Sequence, residues 1–279
     1  MVHTALQFAP VIWTLHDCWS FLSKIYPSHC PIPNKNEESE IIKFWKVLKS
    51  KPSKFPLSAV TPSNWMNQQC SNSFWNDYEV KTIHNPLPDW YFKPLDRDSC
   101  KQALGLSLEK PVILAIAGNL SEERKGGVLL HDILKSSLTE SAQFLIIGDG
   151  VNLQEEKIKS LGYIQDEITL RISYYAADIL LHPAQVDNLP NTVAESMSCG
   201  TPVLAFPTGG LTEMVIPNES GWLAKDLKKE SLVKSLSLVI ENKSYEGLRQ
   251  STQKKANNMF NRQKIAAEYL KMFESQISQ

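Results

Sequence analysis

The chain has 279 residues, 42% hydrophobic and 21% charged, with a formal net charge of -1; this suits a soluble globular protein of one large or two modest domains and gives no sign of a nucleic-acid binder, a local basic patch aside. There is no apolar run of about 18 residues, so no membrane span is expected, and the opening of the chain lacks the charged start and small-residue cleavage site of a secretory signal. Five cysteines (Cys18, Cys30, Cys70, Cys100 and Cys199) form a scattered odd set without a C-x-x-C pair, which points to a reduced, cytoplasmic protein and away from a zinc site.

Residues 10–15 (PVIWTL) are apolar and β-branched and read as a buried strand that ends at His16-Asp17. Residues 27–40 read as a loop, and the spacing of Ile41, Phe44, Trp45 and Leu48 predicts a helix over 38–50. A short strand is expected at 57–60, a turn with a helix N-cap at Pro62-Ser63-Asn64, and another strand at 80–84. Residues 85–99 hold three prolines and read as a linker. Beyond it the pattern becomes regular, with apolar strands at 111–117, 143–148, 178–181 and 202–206. Helices are expected near 126–137, 166–177, 190–198 and 209–215, and residues 228–243 read as a packed surface helix. Short apolar strands alternating with helices predict a parallel sheet covered on both faces. The fold class expected is α/β, with a first domain over 1–88, a Rossmann-like domain over 89–260 and a C-terminal helix over 261–279 that packs back on the first domain.

In such sheets ligands bind beyond the C-terminal ends of the strands, and the polar residues there are the candidates. Asp187 follows the strand at 178–181, and Glu195 lies on the helix expected after it. Pro190 suits a first helical position, which would leave the backbone around Asn188, Leu189, Pro190 and Asn191 facing the ligand. Read singly, Asp187 is equally a solvated loop acid and Glu195 a surface helix residue. The Gly209-Gly210 pair offers a phosphate close approach to a helix start, or serves as a tight strand-to-helix turn. Asn119, Arg124 and Lys125 follow the strand at 111–117; a forked and a point cation there suit a diphosphate, though a solvated charge pair reads as well. His16 can hydrogen-bond a sugar hydroxyl or relay a proton, with Asp17 orienting it. His84 and His182 also end strands and read as packing or loop residues. Trp13, Trp19 and Phe21 read as core, with Trp19 a candidate rim to a sugar site, and Cys199 as a small buried residue at a helix end.

The segment HPAQVDNLPNTVAESMSCGTPVLAFPTGGLTEMV resembles the signature of the family-4, or group 1, glycosyltransferases. VIWTLHDCWSF, VTPSNWM, GNLSEERKGG and LGYIQDEITLRISYYAADILLHPA agree with it. The resemblance implies a GT-B fold, two Rossmann-like domains facing a cleft, with the first one incomplete here. The chain begins about nine residues before the His16 strand, and against a usual domain of ~150 residues roughly 80–100 residues are expected to be missing. By position, Asp187 matches the first acid of the E-x7-E motif, which contacts the donor sugar, and is shorter by one methylene. Glu195 matches the second, which holds the ribose. Lys125 matches the diphosphate lysine; the usual arginine six positions earlier is Asn119, with Arg124 a nearby substitute. The Gly162-Tyr163 loop matches the one that reads the base, and His16 the histidine near the donor sugar.

The expected function is transfer of a sugar from a nucleoside-diphosphate sugar to a glycan or lipid-linked acceptor, with retention, in bacterial surface polysaccharide synthesis. No cofactor or metal is expected, no nucleic acid is among the partners, and peripheral contact with the inner face of the plasma membrane is one expectation. Two other readings stay open: a non-catalytic sugar-nucleotide-binding remnant, and a nucleotide-sugar epimerase.

Overall fold

The computed structural model describes residues 2–18, 20, 45–46, 48–50, 53–119, 123–150 and 157–277. The chain divides into two compact units, Met1–Pro86 with Arg262–Gln279, and Leu87–Asn261. The first unit is thus built from both ends of the chain.

Among its described residues the sheet has three parallel strands in the order β1 (Val11–Thr14), β2 (Leu57–Thr61), β3 (Glu79–Thr82). Helix α1 (Asn64–Ser71) follows β2 and starts as the sequence predicts. Ser63 is its N-cap, and the Ser63 hydroxyl accepts from the Met66 N–H at 3.0 Å. One side of the sheet packs on a core of Leu15, Trp45, Met66, Cys70 and Trp75, with Trp45 and Trp75 edge-on at 4.8 Å. Against Val60 and Ile83 lie Ile265 and Met272 of the last helix, Arg262–Ile277, whose Tyr269 hydroxyl meets Thr14 Oγ1 at 3.2 Å. Of the helix expected over 38–50, Ile41 and Phe44 lie outside the described residues, as do Trp19, Phe21 and Cys30.

Among its described residues the second unit has six strands, all parallel: β4 (Val112–Asn119), β5 (Gln143–Asp149), β6 (Ile158–Ser160), β7 (Ile179–His182), β8 (Val203–Ala205) and β9 (Gly221–Leu223). Their spatial order is β6-β5-β4-β7-β8-β9. Connections run one way from β4 and the other way from β7, so the order reverses between those two strands. Alternate residues of the apolar runs serve opposite faces. Val112, Leu114, Leu145 and Leu180 join one core cluster, and Ile113, Ala115, Phe144 and Leu181 join the other. Burial on both faces is why these strands read as continuous apolar runs rather than as alternations.

Residues 85–99 are not a free linker. Leu87 and Tyr91 are 6% and 4% exposed within the second unit's core, and the Leu87 N–H donates to the Phe260 carbonyl at 3.0 Å. Proline excludes a long helix or central strand there but does not prevent the aromatic side chains from packing. Strands β6 and β9 go beyond the sequence reading; each is three residues long, too short to show a period.

Candidate functional site

The loops that follow β4, β7 and β8 come together at the reversal of strand order, sewn by backbone contacts. The Gln185 N–H donates to the Arg124 carbonyl at 3.1 Å, and the Gly210 N–H to the Asn188 carbonyl at 2.8 Å. Gly209 has φ +56, and a Cβ on it would sit 1.7 Å from the Asp187 carbonyl oxygen. The Gly-Gly turn therefore holds the Asp187 loop in place. The expected phosphate-cradling helix start is a single turn, Leu211–Met214, and the Gly210 N–H is already taken; close backbone packing claimed the glycines.

Asp187, 5% exposed, is the centre of this assembly. Lys125, on the 3-10 turn Glu123–Lys125 after β4, places Nζ 2.9 Å from Asp187 Oδ2. The Asn188 N–H donates to Oδ1 at 3.0 Å. His182, the last residue of β7, places Nε2 3.8 Å from Oδ2 and is 4% exposed. Burial, then the Lys125 and Arg124 cations, outweigh the pull of Asp187 and hold its pKa down at about 4, so the ring is neutral near pH 7.

Helix α5 (Asn191–Ser198; α2 Arg97–Ala103, α3 Gly127–Leu134 and α4 Glu167–Ala176 precede it) carries Glu195. Pro190 is its N-cap, not its first helical residue: the Pro190 backbone is extended and its carbonyl accepts from the Val193 and Ala194 N–H groups. Of the backbone expected to face a ligand, the Asn188 N–H serves Asp187, Pro190 has none, and the Leu189 side chain is core. Asn191 is exposed at the helix start. The Tyr174 hydroxyl of α4 donates to Glu195 Oε2 at 2.7 Å. Burial raises the Glu195 carboxyl to about 7, against the lowering effect of that hydrogen bond. Tyr174 itself is fully buried, edge-on to Tyr91 at 6.4 Å.

Gly162 and Tyr163 follow β6. The Gly162 carbonyl accepts from the Gly148 N–H at 2.8 Å, and Tyr163 is 56% exposed. Asn119 is exposed at the end of β4, where the register with β5 is irregular, and Arg124 is half-buried close enough to His182 to lower its pKa. His16 belongs to the first unit, where it is exposed and lines a cavity of about 230 Å³ with Trp13, Thr14, Leu15, Asp17 and Ser20. Among the described residues no three His, Cys, Asp or Glu side chains group as metal ligands, and no helix is long and apolar enough to cross a membrane.

The structure thus joins Lys125, Asp187, Asn188, Gly209 and Gly210, and adds two residues that sequence reasoning passed over. His182 had a usable signal, its place at the C-terminal end of a parallel strand. Tyr174 had none, since its partner lies 21 positions away on another helix. Chemically, the site offers a movable cation, a fixed buried acid and a carboxyl poised between its charged and neutral forms.

Residues 110–242 match the family described as Glycosyl transferases group 1. An uncharacterized glycosyltransferase of Methanocaldococcus jannaschii is 28% identical over 218 residues, 72% of this chain and 54% of that protein. The chain therefore spans about half the length of this curated relative. Among solved structures, sucrose-phosphate synthase from Thermosynechococcus elongatus aligns with a TM-score of 0.73 at 17% identity, covering 96% of this chain and 68% of that one. HepE of Anabaena in complex with UDP aligns with a TM-score of 0.72 at 18% identity, covering 95% and 72%. The fold is the α/β fold of GT-B glycosyltransferases, with which the parallel sheets of both units agree.

Proposed function

We propose that this chain, whose residues 110–242 match the family described as Glycosyl transferases group 1, moves a sugar from a nucleoside-diphosphate sugar to a glycan or lipid-linked acceptor. The observation that carries this reading is the Lys125–Asp187 pair at the reversal of strand order, with Glu195 on the following helix. Lys125, with Arg124, neutralises the diphosphate. Glu195 accepts from the ribose hydroxyls, the Gly162-Tyr163 loop meets the base, and Asp187 holds the sugar. His16 serves the acceptor side, and its cavity offers the aromatic and polar groups that carbohydrate recognition uses.

In the transfer, the bond from the anomeric carbon to the diphosphate oxygen breaks as the acceptor oxygen bonds to that carbon on the same face. The acceptor's proton passes to the departing phosphate oxygen, so configuration is retained and no protein nucleophile is needed. The leaving charge rests on Lys125 and Arg124, and the reading expects transfer to persist in a chelator. The acceptor belongs to bacterial surface polysaccharide synthesis at the inner face of the plasma membrane.

A thermal-shift panel of UDP-, GDP- and ADP-sugars tests the donor. One nucleotide series should stabilise the protein, and Lys125→Ala should weaken that response. If none of the three series shifts the wild-type protein, the donor reading fails. Binding without transfer or hydrolysis would instead favour the remnant.

A further inference from the structure

His182 has no task in the reading above, yet its placement is costly. Its Nε2 is buried and, among the described residues, has no hydrogen-bond partner. A buried polar atom left in that state asks for a second state that uses it. The groups facing the ring are Asp187 at 3.8 Å and the cations Lys125 and Arg124.

Of Asp187 and the two groups around its Oδ2, His182 and Lys125, only one is free to move far. The acid is fixed by the Asn188 N–H and by the close approach of Gly209 to its backbone. His182 is fixed by its register with Ala205 in the sheet. Lys125 carries its charge on a long stem, with a side chain 25% exposed.

We propose that His182 is a positioning residue that takes over Asp187 when Lys125 turns to the donor's diphosphate. Its Nε2–H then donates to Asp187 Oδ2, and the acid keeps both its charge and its orientation toward the sugar. A shift of about 1 Å closes the present gap to hydrogen-bond length. Withdrawing the ammonium also leaves Asp187 Oδ2 without its cationic partner, which makes that oxygen the stronger acceptor for the new bond. The hand-over rests on the diphosphate role proposed for Lys125.

The test is calorimetric titration with UDP, and with GDP and ADP if UDP does not bind, of the wild type, His182→Leu, His182→Gln, Asp187→Asn, Lys125→Ala and the His182→Leu/Asp187→Asn pair. His182→Leu should weaken binding of the nucleotide that binds by about tenfold, because the buried carboxylate loses its second partner. His182→Gln, which keeps an N–H near the same point, should retain affinity within about twofold. In the Asp187→Asn background the leucine change should have almost no effect, since no charge is left to compensate. Equal losses in both backgrounds would make His182 a packing residue and overturn the hand-over. Weak binding by Lys125→Ala with unchanged binding by His182→Leu overturns it too, and leaves the donor reading standing. If no nucleotide binds the wild type, both fall. Should His182→Leu not fold, 15N-histidine spectra of the wild type decide: nucleotide must move the His182 imidazole signals, and unmoved signals overturn the proposal.

Discussion

Lys125 and Asp187 lie 62 positions apart in the chain and meet at 2.9 Å where the strand order of the second sheet reverses. The acid is buried and the lysine is the cation hydrogen-bonded to it. Breaking a buried pair from one side costs more than the pair contributes, because it strands a charge. Lys125→Ala should therefore lower stability, but by about 1–2 kcal/mol rather than the ~3–5 kcal/mol of a fully stranded buried charge, because the lysine is partly exposed and His182 stands ready to take over the acid. Adding Asp187→Asn should recover most of it. Urea denaturation of the two single variants and the double checks this; additive losses would contradict the coupling.

The titration of His182 should follow its neighbours. Its pKa is held near 4 by burial and by two cations, and raised by Asp187. Asp187→Asn should lower it further and Lys125→Ala should raise it. Histidine NMR titration reads both directions, and a shift of the wrong sign in either variant would refute the assignment.

Glu195 and His182 should bend the stability profile in opposite directions. The Glu195 carboxyl rises from 4.5 to about 7 on folding, so the folded state binds the extra proton and stability falls as pH rises through that window. His182 falls from 6.5 to about 4, so the unfolded state binds the extra proton and stability rises as pH rises between those values. The two slopes oppose each other in the wild type. Glu195→Gln should leave the rising slope of His182 unmasked, as denaturation midpoints across pH 4 to 7 will show.

Nucleotide affinity should show the charge state of Glu195 directly. A carboxylate accepts from two hydroxyls, while its protonated form gives up part of that capacity. UDP affinity should strengthen as pH rises through about 7, and Glu195→Gln should flatten that dependence and weaken binding by about 1–3 kcal/mol. Calorimetry at several pH values measures it.

Gly209→Ala should disturb the site without touching a charged group. Its backbone is left-handed at φ +56 and its Cβ would collide with the Asp187 carbonyl oxygen. The loop must shift, with a loss of about 2 kcal/mol or more and weaker nucleotide binding. Wild-type affinity and stability in this variant would show that the turn does not position Asp187.

Much of the second unit was legible because its strands are buried on both faces. PVILAIA and QFLIIG announce β4 and β5 as unbroken apolar runs, and Ser63 announces the start of α1 through its hydroxyl. The short strands β6 and β9 left no period to read. The Pro190 position was off by one residue because an N-cap and a first helical residue differ in backbone angles, not in composition. The boundary between the units does fall inside the stretch 85–99, after Pro86, but the packing of Leu87 and Tyr91 went unread, because prolines mark what secondary structure is excluded and say nothing about whether Tyr91 finds a core.

By itself the sequence determined which segments become strands and helices, and it placed acids and cations at strand ends, because burial and capping act within a few residues of each position. Only the tertiary structure decided which of those groups share an atom. Asp187 meets Lys125 and His182, Glu195 meets Tyr174, and Gly209 closes on the Asp187 backbone. Those meetings depend on the spatial order of β4, β7 and β8 and on how closely their loops approach, and no local periodicity encodes either.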